Sequence, residues 1–217
     1  MKPSYYMKQT TINRVRSLFT KYHGYGSAGS SGTYVFAVYE DGYPIAAYIW
    51  NPPSYGCAKS VAPECPSSVL SLSRMVAVPK DERRLNHVSK PLRRQMKTLI
   101  DRTRYPSLVT FSDSSLGHTG HVYKCSGWHK TRETERPYYL CEFTGKRKSK
   151  HCNGGSRKTG IVLGGYSTIT RWENHIDKGN NDKVLSRNGW VRVPVPGKFW
   201  HSGNQAYKWV KPNHDIQ

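Results

Sequence analysis

A mixed α/β fold is expected for this chain: a sheet with parallel pairing at its middle, helices on its faces, and a basic, aromatic-rich β-type extension at the C-terminus. Three observations predict it. Helical and β-type segments alternate from Thr10 to Trp128. The run Ser107–Asp113 (S-L-V-T-F-S-D) places Leu108, Val109 and Phe111 in a short apolar stretch, the pattern of a buried strand. Beyond Lys130 that alternation gives way to short β-type runs separated by Gly, Pro and Asn.

Taken in order, Thr10–Tyr22 reads as a helix, with Ile12, Val15, Leu18 and Phe19 on one face and Thr10 or Thr11 as its cap. His23–Gly32 is rich in Gly and Ser and reads as a loop. Tyr34–Glu40 and Ile45–Trp50 are β-type runs joined through Asp41-Gly42, a strong hairpin signal. Asn51–Ser68 holds four prolines and two cysteines with little periodicity and reads as a long loop. Val69–Val78 is a strand ended by Pro79. Leu85, Val88, Leu92, Met96, Leu99 and Ile100 then recur at helical spacing, with Pro91 in the first turn. After Ser107–Asp113 comes a Gly-bearing turn, a short helix carrying Tyr123, and Gly127-Trp128. Later β-type runs are Pro137–Phe143, Ile161–Leu163, Gly189–Val195 and Gln205–Val210. The expected organisation is a core over 1–131 and a basic extension over 132–217, packed on the core.

The 217 residues carry 34 Lys and Arg against 14 Asp and Glu, a formal net charge of +20. A magnitude of ~2–8 is enough for solubility. The excess therefore points to a polyanionic partner, nucleic acid ahead of an anionic membrane surface. No apolar run approaches the ~20 residues needed to span a bilayer, and Met1–Gln9 is polar, so a cytoplasmic location without membrane contact is expected. The five cysteines form no C-x-x-C pair, which argues against a disulfide framework and against a four-cysteine zinc site.

Ligands of open α/β sheets bind beyond the carboxyl ends of the strands, which places Asp113 and the turn after it at such an end. Asp113 can cap the next helix, or hold and deprotonate an amine, and the two roles can coexist. Tyr123 is either a core aromatic or a proton donor. Arg74, in an otherwise apolar strand, either reaches solvent or shares a buried face with Leu70 and Leu72 and pairs with Asp113. His118 and His121 read as solvated or capping residues before a metal pair. The cations of the Leu85–Ile100 helix, Arg93, Arg94 and Lys97 among them, and the tract Lys146, Arg147, Lys148 and Lys150 read as phosphate contacts. Trp172, Trp190, Trp200, Tyr207 and Trp209 serve either a small core or base stacking.

Two motifs, L-S-R-M-V-A-V (Leu72–Val78) and F-S-D-S-S-L-G-H-T-G-H-V-Y-K-C-S-G-W (Phe111–Trp128), resemble the Mom proteins of Mu-like phages, over roughly Tyr22–Thr131. The order of elements resembles the GNAT superfamily of N-acetyltransferases. The resemblance implies a GNAT-like core and an enzyme that places a carbamoylmethyl (acetamido) group on the exocyclic amine of adenine in phage DNA, shielding it from host restriction. It implies Asp113 and Tyr123 as the catalytic pair, with Arg74, Tyr39 and Ser112 beside them. It implies double-stranded DNA with a flipped adenine as partner. The family's His-Tyr pair is linked to iron; here the order is Tyr22-His23, with His23 as candidate ligand. GNAT enzymes hold acetyl-CoA on a Gly-rich turn after the central strand. This chain has Pro79-Lys80-Asp81-Glu82-Arg83-Arg84 there, so Lys80, Arg83 and Arg84 are the candidates for holding a donor by charge, with Gly117 and Gly120 in the later turn. The donor is either acetyl-CoA or an aminoacyl-tRNA such as glycyl-tRNA, the latter making tRNA a second partner. Oligomeric state is left open, a dimer included. The alternatives are a conventional N-acetyltransferase and a non-enzymatic basic DNA-binding protein.

Overall fold

The computed structural model describes residues 5–83, 87–145, 147–148, 160–175, 185–187, 191–199 and 205–210. Eight strands form one sheet in the order β1-β2-β3-β4-β5-β8-β6-β7. They are β1 (Tyr5–Gln9), β2 (Tyr34–Glu40), β3 (Tyr43–Asn51), β4 (Val69–Ala77), β5 (Ser107–Asp113), β6 (His129–Cys141), β7 (Arg147–Lys148) and β8 (Ile161–His175). The β4–β5 pair is parallel and its neighbours are antiparallel. A separate antiparallel pair, β9 (Val191–Phe199) and β10 (Gln205–Val210), lies outside this sheet.

Helix α1 (Ile12–Tyr22) buries Val15, Leu18 and Phe19 against Val35, Ala37, Ala47 and Ile49 on one face of the sheet. Thr11 stands at its cap position without a side-chain capping bond. The β2–β3 turn places Asp41 at φ 50° and Gly42 at φ 86°, the two positive angles that a primed hairpin turn needs. Helix α3 (Ser89–Arg102) covers the opposite face with Leu92, Met96, Leu99 and Ile100 against Tyr48, Trp50, Leu70 and Leu108. Each such side chain contributes ~1.5–3 kcal/mol by leaving water. Helix α4 (His121–Cys125) lies on that same face.

Three elements differ from the sequence expectation. Asn51–Ser68 contains a two-turn helix, α2 (Tyr55–Val61), whose one buried residue, Ala58, leaves no apolar stripe to read. The strand expected over Pro137–Phe143 begins at His129. The run expected over Ile161–Leu163 continues to His175 and pairs with β5 from Ser107 to Asp113. The 131/132 boundary thus falls inside β6, and β8 completes the central sheet. Further on, Arg192 meets Glu64 at 3.2 Å, Leu185 packs on Cys65, and Arg187 bonds the Asp101 carbonyl. Of the aromatics expected in the last third, Trp172 is core. Trp190 and Trp200 lie outside the described residues.

Gly120 has φ 73° and faces the Trp172 ring so closely that a Cβ there would collide with it. Left-handed backbone costs a non-glycine residue ~1–2 kcal/mol, and overpacking a further ~1–3 kcal/mol. Gly120→Ala is therefore expected to lower Tm by roughly 5–10 °C in a thermal melt.

Candidate active site

The site begins with a parting of strands. β4 runs for nine residues but pairs with β5 only over Val69–Ser71. Past that point β4 follows β3, and β5 follows β8. The β3–β4 register slips at the same place, Trp50 opposite Leu72 and Ile49 opposite Arg74, so Ser73 is an extra, bulged residue. Its hydroxyl donates to the Ile49 carbonyl at 2.9 Å and accepts from Asn51 Nδ2 at 3.0 Å. The bulge reverses the alternation of sides. Leu70 and Leu72 face α3, whereas Arg74 joins the α1 face with Val76. The reading that puts Leu70, Leu72 and Arg74 on one face is thereby corrected.

A cavity of about 200 Å3 fills this gap. Leu72, Met75 and Tyr123 line it from the α3 side, and His23, Arg74 and Asp113 from the α1 side. His118 and Tyr25 complete its polar rim.

Asp113 is only 8% exposed. It ends β5 and caps the 3-10 turn Ser114–Leu116, accepting from the Ser115 N–H at 3.1 Å and the Ser115 hydroxyl at 2.7 Å. A third bond comes from Ser167 Oγ on β8. A buried carboxylate needs such donors. The capping expectation is met, and the same residue faces the cavity.

Tyr123 packs on Trp128 and Trp172, each at a ring distance of 6.0 Å, and hydrogen-bonds the Thr110 side chain. Thr110 Oγ1 in turn donates to the Leu72 carbonyl at 2.9 Å, which ties Tyr123 to the last residue of β4 before the bulge. Burial holds the phenol above its usual pKa, so Tyr123 keeps its proton at neutral pH.

One of the two sequence readings pairs Arg74 with Asp113; in the structure each has partners of its own. The guanidinium of Arg74 lies over the Tyr25 ring, 5.6 Å from its centroid, while serines hold Asp113. His23 Nδ1 accepts from the Tyr25 N–H at 3.1 Å. Burial first, then the positive fields of Arg74 and His118, push the His23 pKa down to about 4, so its ring is neutral at pH 7.

Other expectations are revised. Tyr39 stacks on Tyr6 at 5.1 Å, near the β2–β3 turn, and does not line the cavity. Ser112 points to the α3 side, where its hydroxyl accepts from Trp172 Nε1 at 2.9 Å, an anchoring role. Gly120 serves the packing of Trp172, and Gly117 closes the 3-10 turn with φ 71°. His121 meets Cys125, 3.4 Å from Nε2 to Sγ, away from His118's cavity position. Arg93, Arg94 and Lys97 are exposed on α3, across the sheet from Asp113. Lys146 and Lys150 lie outside the described residues. Arg147 and Lys148 form β7 beside β6.

Two implied groups can be weighed against these residues. The turn after β4, Lys80–Glu82, has no glycine to bring backbone N–H groups onto a phosphate, and Arg83 Nε is bonded to the Val78 carbonyl at 2.8 Å. Lys80 is exposed and Arg84 lies outside the described residues. This turn does not fit the usual pyrophosphate cradle. Among the described residues no group of three or more His, Cys, Asp or Glu, with or without His23, could hold a metal ion. Sequence reasoning missed Ser167, Thr110 and Phe111. The alternation Ser167, Ile169, Arg171, Glu173 was the signal available for the first.

The profile of the Mom protein family matches residues 4–175. The chain belongs to the Mom family. That membership points to phage DNA modification. No curated protein sequence matches. Among solved structures, the ribosomal-protein-S18-alanine N-acetyltransferase from Escherichia coli is similar with a TM-score of 0.51 at 12% identity, over 82% of this chain and 98% of that one. A Bacillus subtilis acetyltransferase in complex with CoA has a TM-score of 0.48 at 8% identity, over 81% and 99%. At 12% identity the likeness to the Escherichia coli enzyme concerns the fold alone, which is that of the GNAT acetyltransferases. Among the described residues no helix is long and apolar enough to cross a membrane.

His23 titrates near 6.5 in the unfolded chain and about 4 in the folded one, so the unfolded state binds the extra proton between those values. Its stabilising contribution is complete above pH 6.5 and is lost as pH falls toward 4. Allowing for its partial exposure, the protein is expected to lose on the order of 2 kcal/mol more over that window than His23→Gln. Urea unfolding at a series of pH values measures this difference.

Proposed function

We propose that the protein transfers an acyl-type group to the exocyclic amine of adenine in double-stranded DNA, ending as N6-carbamoylmethyl (acetamido) adenine, and so protects phage DNA from restriction in the cytoplasm of an infected bacterium. The observation that carries this reading is the meeting of Asp113 and Tyr123 at one cavity between the parted strands, in a Mom-family chain of charge +20. Asp113 orients the amine and takes its proton as nitrogen bonds to the carbonyl carbon. Tyr123 gives a proton to the departing donor atom as the bond between that atom and the carbonyl carbon breaks. Arg74, held over Tyr25, supplies positive charge where the carbonyl oxygen becomes negative.

The turn after β4 favours a donor held by other means than a pyrophosphate cradle, such as an aminoacyl ester. A glycyl group and a carbamoylmethyl group are isomers, so a glycyl adduct needs rearrangement and no added atoms. An acetyl adduct lacks the nitrogen.

Plasmid DNA from cells making the protein, digested to nucleosides and weighed by mass spectrometry, tests the reading. An adenosine adduct with the composition of glycyl is expected; an acetyl adduct would identify the other donor. An unmodified adenosine pool beside soluble protein, or CoA-dependent acetylation of protein or small amines alone, overturns it. Asp113→Asn keeps an acceptor for the Ser115 N–H, so the fold should hold while the modified fraction falls ~100-fold or more. Tyr123→Phe, which keeps the ring packing, should also fall by ~100-fold.

A further inference from the structure

The 200 Å3 cavity is too small for a nucleoside together with a donor, since ligand sites commonly occupy ~300–1,000 Å3. A larger groove of about 660 Å3 adjoins it, sharing Tyr25, Phe111, Asp113 and Ile169. It runs between α2 and the β5-β8-β6 part of the sheet, on the α1 side. Its far wall carries Arg132, Thr134 and Arg136 of β6, and among the described residues Asp113 is the one carboxylate that lines it. Among the described residues neither Arg132 nor Arg136 has an ion-pair partner. Arg171 differs, being committed to Glu173 and to Ser60 Oγ.

Phe111 is the second unusual feature. It belongs to the central strand β5, two residues before Asp113, yet it is 45% exposed. The even-numbered neighbours Leu108 and Thr110 are buried on the α3 side. An apolar ring left open beside a buried carboxylate, with Tyr25 on the same rim, has the make-up of a stacking platform. The α3 cations are on the wrong face to grip the same piece of DNA, because the sheet lies between them and Asp113.

Building on the DNA-modification reading, we propose that this groove is the acceptor channel. A base turned out of the duplex lies between Phe111 and Tyr25 with its amine at Asp113, and Arg132 and Arg136 take the flanking phosphates.

Binding of a fluorescein-labelled DNA duplex across a KCl series tests this, with nucleoside mass spectrometry on DNA from cells making each variant. Each phosphate contact adds about 0.9 to the slope of log K against log salt. Arg132→Gln with Arg136→Gln should lower the slope by about 1.8. Arg132→Lys with Arg136→Lys should restore it, separating charge from fold. Arg93→Gln with Arg94→Gln and Lys97→Gln should change it by less than half as much. Phe111→Ala should leave the slope intact while the modified fraction drops roughly 10-fold or more. A slope that falls for the α3 variant and stays for the β6 pair overturns the channel while leaving DNA modification standing. So does undiminished modification by Phe111→Ala. A wild-type protein that neither binds the duplex nor modifies adenine fails the underlying reading, and the channel with it.

Discussion

Strand β5 has two neighbours that it cannot both follow. It starts parallel to β4 for three residue pairs, then keeps the antiparallel register of β8 to its end. Ladder hydrogen bonds with β8 run its whole length, so β5 leaves β4. The gap this opens is the cavity. Everything functional in the proposed site depends on that parting, because it lets side chains from both faces of one sheet reach the same volume. Tyr123 comes from the α3 side and Asp113 from the α1 side.

The bulge at Ser73 is the matching device on β4. A regular strand would put Arg74 beside Leu70 and Leu72, in the apolar layer under α3, where a guanidinium would need a buried partner. One extra residue turns it to the α1 face instead, where the Tyr25 ring and the rim of the cavity receive it. Arg74 there does two things at once. It supplies positive charge at the site, and it helps hold His23 neutral. Asp113 is kept in place by hydroxyl and backbone donors from two elements, the turn it caps and β8. Its capping bond and its position at the cavity are therefore not rival roles; the first fixes the geometry of the second.

Much of this was legible in the residues and some was not. The hairpin, β4, α3 and β5 carry clear periodicity or turn chemistry, and Asp113, Tyr123 and Arg74 stand out as polar residues in apolar settings. A strand pattern gives alternation and not distance, so it does not show that Tyr39 and Ser112 stand away from the cavity. Tyr39 lies near a turn remote from the cavity, and Ser112 faces Trp172. Strand β6 extends beyond its sequence signal because its first half, H-K-T-R-E-T-E-R, has no apolar alternation. Its partner β8 supplies the ladder that no local pattern announces.

By itself, then, the sequence determined the local elements, the strong positive charge and the motif that places Asp113 and Tyr123 on consecutive elements, since these follow from residue spacing and composition. Only the tertiary structure decided that β8 inserts beside β5, that β4 and β5 part, that Ser73 bulges, and that Ser167 closes on Asp113. These are pairings between segments far apart in the chain. Such pairings are set by backbone hydrogen bonding and packing across the whole sheet, and no single stretch of residues encodes them.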